Sequence, residues 1–183
     1  MITQSGVLVM PSGRNAPSLM DIAVSLSRVP RFGGHTLRPW SVAEHTLACE
    51  LMGQLRAYGT PILGHLLLHD AHEAILGDIP STWCTDEIKM LKEELDVRIY
   101  ESLDWPEPDI EEQVLIKNID HAAVLAEAQI LGPPGCSAWF GESPPEWALE
   151  AVLKTEEFVF PRSQERVAAL LYDQFCKLIR GEV

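Results

Sequence analysis

The chain has 183 residues, 46% of them hydrophobic and 22% charged, which suits one soluble globular domain with a substantial core. Its 14 basic and 27 acidic residues leave a net charge of −13, which argues against binding a nucleic-acid polymer but not against a small anion held by a metal and a few local cations. No apolar run is long enough to cross a bilayer and the opening MITQSGVLVMPSGR lacks the parts of a secretion signal, so the expectation is a cytoplasmic protein (host cytoplasm if phage-encoded) with no membrane partner.

In chain order the sequence predicts almost nothing but helices. Val7 to Met10 reads as a short strand or extended arm, ended by Pro11-Ser12-Gly13. A helix follows from Pro17 or Ser18 to about Arg28, with Leu19, Ile22, Ala23 and Leu26 on one face. Pro30-Arg31-Phe32-Gly33-Gly34-His35 is a loop, because proline and paired glycines break regular structure. Ser41-x-x-Glu44 is a capping box that starts a helix running to about Tyr58. Thr60-Pro61 opens the next, which carries His65, His69 and Asp70 and is expected to end near Gly77.

Further on, Thr85 to about Leu103 is an amphipathic, charge-laced helix, and Pro108 to Leu131 is a long one closed by Gly132-Pro133-Pro134-Gly135. Ser143-Pro144-Pro145-Glu146 opens another, and Pro161 to Arg180 forms the last, stopped by Gly181. Trp139, Phe140 and Trp147 suggest that residues 132–145 form a packed surface loop and not a linker between domains. The expected fold is all-α: one bundle of six to seven helices over residues 1–183. Four scattered cysteines, Cys49, Cys84, Cys136 and Cys176, contain no C-x-x-C and read as reduced thiols.

Three of these helices carry polar groups where apolar ones belong. Asp70 stands on the stripe of Leu63, Leu66, Leu67, Ala71 and Ala74, and a buried carboxylate is costly unless it meets a cation or a metal. Its neighbour His69 is the side-chain type most often used to bind a transition ion. His45 shares a face with Ala48, Cys49 and Met52, and Asp120 follows Ile116 and precedes Ala123 and Val124. Singly, each has an ordinary explanation: a hydrogen-bonded core histidine, or Asp120 paired with Lys117. Together His45, His69, Asp70 and Asp120 form a two-nitrogen, two-oxygen set suited to manganese, iron, cobalt, nickel or zinc.

The order His45 … His69-Asp70 … Asp120 resembles the metal-binding pattern of the HD-domain phosphohydrolase superfamily. Arg31-Phe32-Gly33-Gly34-His35-Thr36, Ser41-Val42-Ala43-Glu44-His45, His69-Asp70-Ala71-His72-Glu73-Ala74 with Gly77-Asp78-Ile79-Pro80, and Lys117-Asn118-Ile119-Asp120 with Glu127 are similar to the branch containing bacterial 5′-deoxynucleotidases and phage dATP triphosphohydrolases. The resemblance spans about residues 12 to 130, leaving the helices of 143–180 to complete the bundle. It implies hydrolysis of a deoxynucleotide by metal-activated water, with His45, His69, Asp70 and Asp120 as ligands and magnesium on the substrate phosphates.

On this resemblance Glu73, one turn beyond His69, holds a water or passes a proton to the leaving oxygen, and His72 is a second candidate, a solvated surface histidine being its rival reading. Arg31 clamps phosphate, Phe32 packs on ribose or base, and Gly33-Gly34 let the backbone approach, although a plain loop accounts for the glycines equally well. Asp78 accepts from the 3′-hydroxyl, or simply forms a turn. One departure stands out. Relatives carry a lysine shortly after the Gly-Asp-Ile-Pro segment, where this chain has Trp83-Cys84, leaving Lys89 or Lys92 as substitutes.

The leading expectation is a dNTP triphosphohydrolase acting on dATP. A 5′-deoxynucleotidase acting on monophosphates is the alternative, and a non-catalytic nucleotide-sensing module or a helical scaffold with a structural metal lies further off. The expected partners are a small deoxynucleotide and further copies of the chain in a homo-oligomer, with Trp105, Trp139, Phe140 and Trp147 as interface candidates.

Overall fold

Side chains that reach back to their own backbone fix where three helices begin. Ser18 with Asp21, Ser41 with Glu44, and Asp109 with Glu112 each form a reciprocal capping box. The computed structural model describes residues 1–182 and consists of α1 Leu19–Leu26, α2 Val42–Leu55, α3 Thr60–Leu68, α4 Glu73–Leu76, α5 Asp86–Ser102, α6 Ile110–Ile130, α7 Glu146–Phe158 and α8 Gln164–Arg180. Seven of these are eight residues or longer and α4 is a single turn, in agreement with the expected all-α bundle. No strand forms among the described residues. The first ten residues fold back as an arm with one bridge, Ile2 to Leu8, and Arg98 of α5 ties down the turn after it by donating to the carbonyls of Met10, Pro11 and Gly13.

α2 is the axis of the bundle. It packs against α1, α3, α6, α7 and α8, and Val42 through Glu50 are buried without a break. One apolar cluster, including Ile22, Leu26, Leu47, Leu67, Leu68 and Phe175, joins α2 to α1, α3 and α8. A second, including Trp40, Cys49, Met52, Leu66, Ala123, Ala126 and Val152, joins it to α6 and α7. His45 lies in sequence between residues of both clusters. The α2–α3 approach is close enough that a Cβ on Gly53 would meet Leu63 and Leu66 side-chain carbons at 2.7 Å, so a larger residue there would make the two leucines shift. α5 differs from the rest: only Leu95, Ile99 and Tyr100 are buried, as its charge-laced sequence predicts.

Two expectations are corrected. The helix from Thr60 does not run on to Gly77: it ends at Leu68, and the chain tightens through His69–His72 before α4. Ala71 and Glu73 donate to the carbonyls three residues back, Leu68 and Asp70, in place of the four-residue spacing. Adjacent residues on a continuous α-helix point about 100° apart; through this tightened turn His69 and Asp70 both reach one cluster. The loop of 132–145 is also less packed than expected. Trp139 is 91% exposed and Phe140 partly so, whereas Trp147 leans on the second cluster and Trp105 on the first. No helix among the described residues is long and apolar enough to cross a membrane.

Candidate metal centre

The four expected ligands converge, from three segments, on one point. His45 Nε2 lies 3.3 Å from His69 Nε2, 3.5 Å from Asp70 Oδ2 and 3.1 Å from Asp120 Oδ1, and His69 Nε2 lies 3.2 Å from Asp70 Oδ2. One donor atom from each falls within 4.8 Å of all the others, so the group can hold a metal ion. Asp120 meets His45, not Lys117. Its side chain is 39% exposed while that of His45 is fully buried, so the cluster runs from the core to the solvent at one wall of a cleft.

Both rings are oriented from behind. His45 Nδ1–H donates to Glu127 Oε1 at 2.7 Å, and His69 Nδ1–H donates to the Leu66 carbonyl at 2.7 Å. Each therefore presents Nε2 to the cluster, the arrangement that fixes tautomer and direction in metal-binding histidines. Glu127 is itself fixed: it accepts from Trp40 Nε1 at 2.9 Å and faces Arg31 Nε at 3.5 Å. Burial pushes the Glu127 carboxyl up, but His45 and Arg31 outweigh it and hold the group ionised. Burial and Arg31 work against charge on His45, yet Cys49, Glu127 and Asp120 prevail and draw it well toward its cationic form. His69 is likewise held up, beside Asp70, against its own desolvation. The electrostatics of the cluster thus favour positive charge, which protons on the imidazoles or a divalent cation would supply.

Beside the cluster, Glu73 is buried, and desolvation together with Asp70 and Asp78 pushes its carboxyl up to about 8. It starts α4 and so reaches this position through the tightened turn, not along a continuous helical face. Lys92 stands 3.8 Å from its Oε1. His72 is not a solvated surface residue: it is 7% exposed, its Nδ1 meets Asp96 Oδ1 at 2.9 Å, and its Nε2 is buried without a hydrogen-bond partner. Phe32 adopts a left-handed conformation, φ 53°, which few non-glycine residues take, and with Arg31 it lines a cavity of about 790 Å³ over the cluster. Gly33 and Gly34 follow with positive φ and do not themselves line that cavity.

The cavity walls also carry Asp78, Lys89, Lys92 and Lys117. Arg31 Nη1 reaches Asp78 Oδ1 at 3.4 Å. Cys84 lines the cavity too and turns its thiol to the Ile79 carbonyl, while the α5 lysines bring positive charge to the same space. A second cavity of about 580 Å³, with Glu93, Asp96 and Glu107 in its walls, opens on the other side of Asp70 and Asp120. A groove of about 620 Å³ lined by Glu50, Gln54 and Lys177 contains none of the cluster residues.

No protein-family model matches the chain. Over 159 residues, 85% of this chain and 80% of the other, it is 33% identical to an uncharacterized Escherichia coli K12 protein named YfdR. The chain belongs to the YfdR family.

In this member of the YfdR family three residues that sequence reasoning gave no role stand against the cluster. Glu127 orients His45, Asp96 orients His72, and Cys49 places its Sγ 3.6 Å from His45 Nε2. Glu127 and Cys49 carried a readable signal. Glu127 lies seven residues, two turns, beyond Asp120 on the same helix face, and Cys49 lies four beyond His45. Asp96 had none, being joined to His72 only through the packing of α5.

Proposed function

We propose that the chain is a metal-dependent deoxynucleotide phosphohydrolase of the HD-domain type, acting on a deoxynucleoside triphosphate, dATP by preference, to release deoxynucleoside and triphosphate. The observation that carries this reading is the convergence of His45, His69, Asp70 and Asp120 beside a cavity that Asp70 and Asp120 line together with Arg31, Lys89, Lys92 and Lys117. These four ligands would hold a divalent first-row ion. Such an ion, when bound, polarises a phosphate oxygen and makes a water more acidic.

The chain's own residues supply the rest. Around the cavity Arg31, Lys89, Lys92 and Lys117 offset Asp70, Glu73, Asp78, Glu93 and Asp120, and with a bound cation they would accommodate an anionic phosphate chain. Arg31 makes only long contacts to Asp78 and Glu127, so its guanidinium can turn to a phosphate without breaking a short hydrogen bond. Glu73 retains a proton near neutral pH and stands next to Asp70, which fits it to protonate a departing 5′-oxygen. His72, tethered to Asp96, backs Glu73. Phe32 offers a flat apolar face to sugar or base, and Asp78 an acceptor for the 3′-hydroxyl.

The test is turnover of a panel of dNTPs, dNDPs, dNMPs and ribonucleotides with Mn²⁺, Co²⁺ or Zn²⁺, with the products identified. Triphosphate release from dATP, abolished by Asp70→Ala, is the expected result. Turnover of monophosphates alone moves the assignment to a 5′-deoxynucleotidase. Tight binding of one nucleotide without turnover moves it to a sensing module.

A further inference from the structure

Cys49 is wholly buried, one helical turn beyond His45 on α2. Its Sγ lies 3.6 Å from His45 Nε2, and the sulfur and the two imidazole nitrogens of His45 and His69 fall within 4.8 Å of one another. The two Nε2 atoms face each other at 3.3 Å while each ring spends its Nδ1–H elsewhere, on Glu127 and on Leu66. Two imidazole lone pairs so placed repel each other unless a proton or a cation stands between them. His45 is completely buried and the His69 side chain is 8% exposed, so little solvent reaches that space. The imidazole pair is thus shared by two donor groups, one completed by the Asp70 and Asp120 oxygens and the other by the Cys49 sulfur.

We propose that Cys49 Sγ is a further donor to the ion held by His45 and His69, and that it makes the site select thiophilic ions (zinc, cobalt, iron(II)) over manganese and magnesium. This rests on the metal reading of the cluster given above. Imidazole and carboxylate together discriminate weakly among first-row ions, whereas a sulfur donor favours the softer ones. The thiol proton leaves to solvent as the ion binds, because the thiolate is the ligating form.

Titration of the purified chain with Co²⁺, followed by absorption spectroscopy, tests the assignment. The visible d–d bands report that cobalt is bound, and a near-ultraviolet sulfur-to-cobalt charge-transfer band reports the thiolate. The expected result is both sets of bands in the wild type, and loss of the charge-transfer band alone in Cys49→Ser. The Zn²⁺-over-Mn²⁺ affinity ratio is expected to fall at least about tenfold in that variant. Cys49→Ala serves if the serine hydroxyl disturbs the core. A chain in which Cys84, Cys136 and Cys176 are all serine is expected to keep the band.

Bound cobalt without a charge-transfer band, or with one that survives Cys49→Ser, overturns the sulfur ligand and leaves the phosphohydrolase reading intact. A charge-transfer band without turnover of any nucleotide overturns that reading and leaves the sulfur ligand standing. Failure of the wild type to bind cobalt, zinc or manganese overturns both.

Discussion

Two buried glutamates, Glu127 on α6 and Glu50 on α2, meet opposite treatment from the same fold. Glu127 is fully buried and ionised because its surroundings were built for charge: indole and imidazole N–H groups donate to one oxygen, and a guanidinium faces the other. Glu50 is 3% exposed with far less help, the Gln54 amide and the more distant charge of Lys177, and burial pushes its carboxyl up to about 7. Burial therefore does not by itself mark a functional carboxylate. What distinguishes Glu127 is the investment in donors around it, and those donors include a side chain of the candidate metal centre.

Removing Glu127 breaks the comparison most severely. Glu127→Ala leaves Trp40 Nε1 without an acceptor and takes from Arg31 and His45 their fully buried counter-charge, leaving them the less buried Asp70, Asp78 and Asp120, and is expected to cost about 3–5 kcal/mol. His45 also loses the hydrogen bond that orients its ring, so metal affinity is expected to fall roughly ten- to a hundredfold. Urea denaturation and a Co²⁺ titration measure the two effects separately. A variant as stable as wild type with unchanged affinity would remove the second carboxylate from any role in the centre.

Glu50→Gln is expected to act in the other direction, and only at high pH. The folded Glu50 titrates near 7, whereas the unfolded value is 4.5, so between these values the folded chain holds a proton that the unfolded chain has released. Stability from this group is complete below the unfolded value and falls as pH rises through the window, by at most about 3 kcal/mol at some 1.4 kcal/mol per pH unit. The amide does not titrate. The variant should match wild type at pH 5 and exceed it at pH 8, as thermal unfolding at the two pH values would register; an equal offset at both would show that Glu50 is ionised throughout.

The contrast also explains what was legible in the sequence. The Ser41–Glu44 capping box was readable because it closes within four residues, and the four cluster residues because a histidine or carboxylate on an apolar stripe needs a partner. The end of α3 at Leu68 was not readable, since Leu-His-Asp-Ala-His-Glu continues the helical pattern without a proline, a glycine or a capping residue to stop it. Cys49 had a signal in its place one turn beyond His45, but a small thiol on an apolar face also passes for core. Trp139 misled for the opposite reason: a large aromatic suggests packing, yet here it faces solvent. Glu50 and Glu127 look alike in the sequence. Their difference lies in residues more than eighty positions from Glu127 and in the α8 lysine near Glu50.

The smallest and most specific perturbation of the comparison is Trp40→Phe. It removes one donor from Glu127 Oε1 and leaves His45 Nδ1 in place, so the carboxylate stays paired and the expected cost is about 1–2 kcal/mol, near that of one hydrogen bond to a charged group. Part of any loss could come from the smaller ring, which sits under Arg162 at 5.7 Å and is 2% exposed. A double-mutant cycle with Glu127→Ala, which removes the acceptor, separates the two. If the indole acts through its N–H, the combined variant loses less than the sum of the single variants, by about 1 kcal/mol. Strict additivity would mean that Trp40 serves Glu127 only as packing, and that His45 and Arg31 alone keep this carboxylate charged.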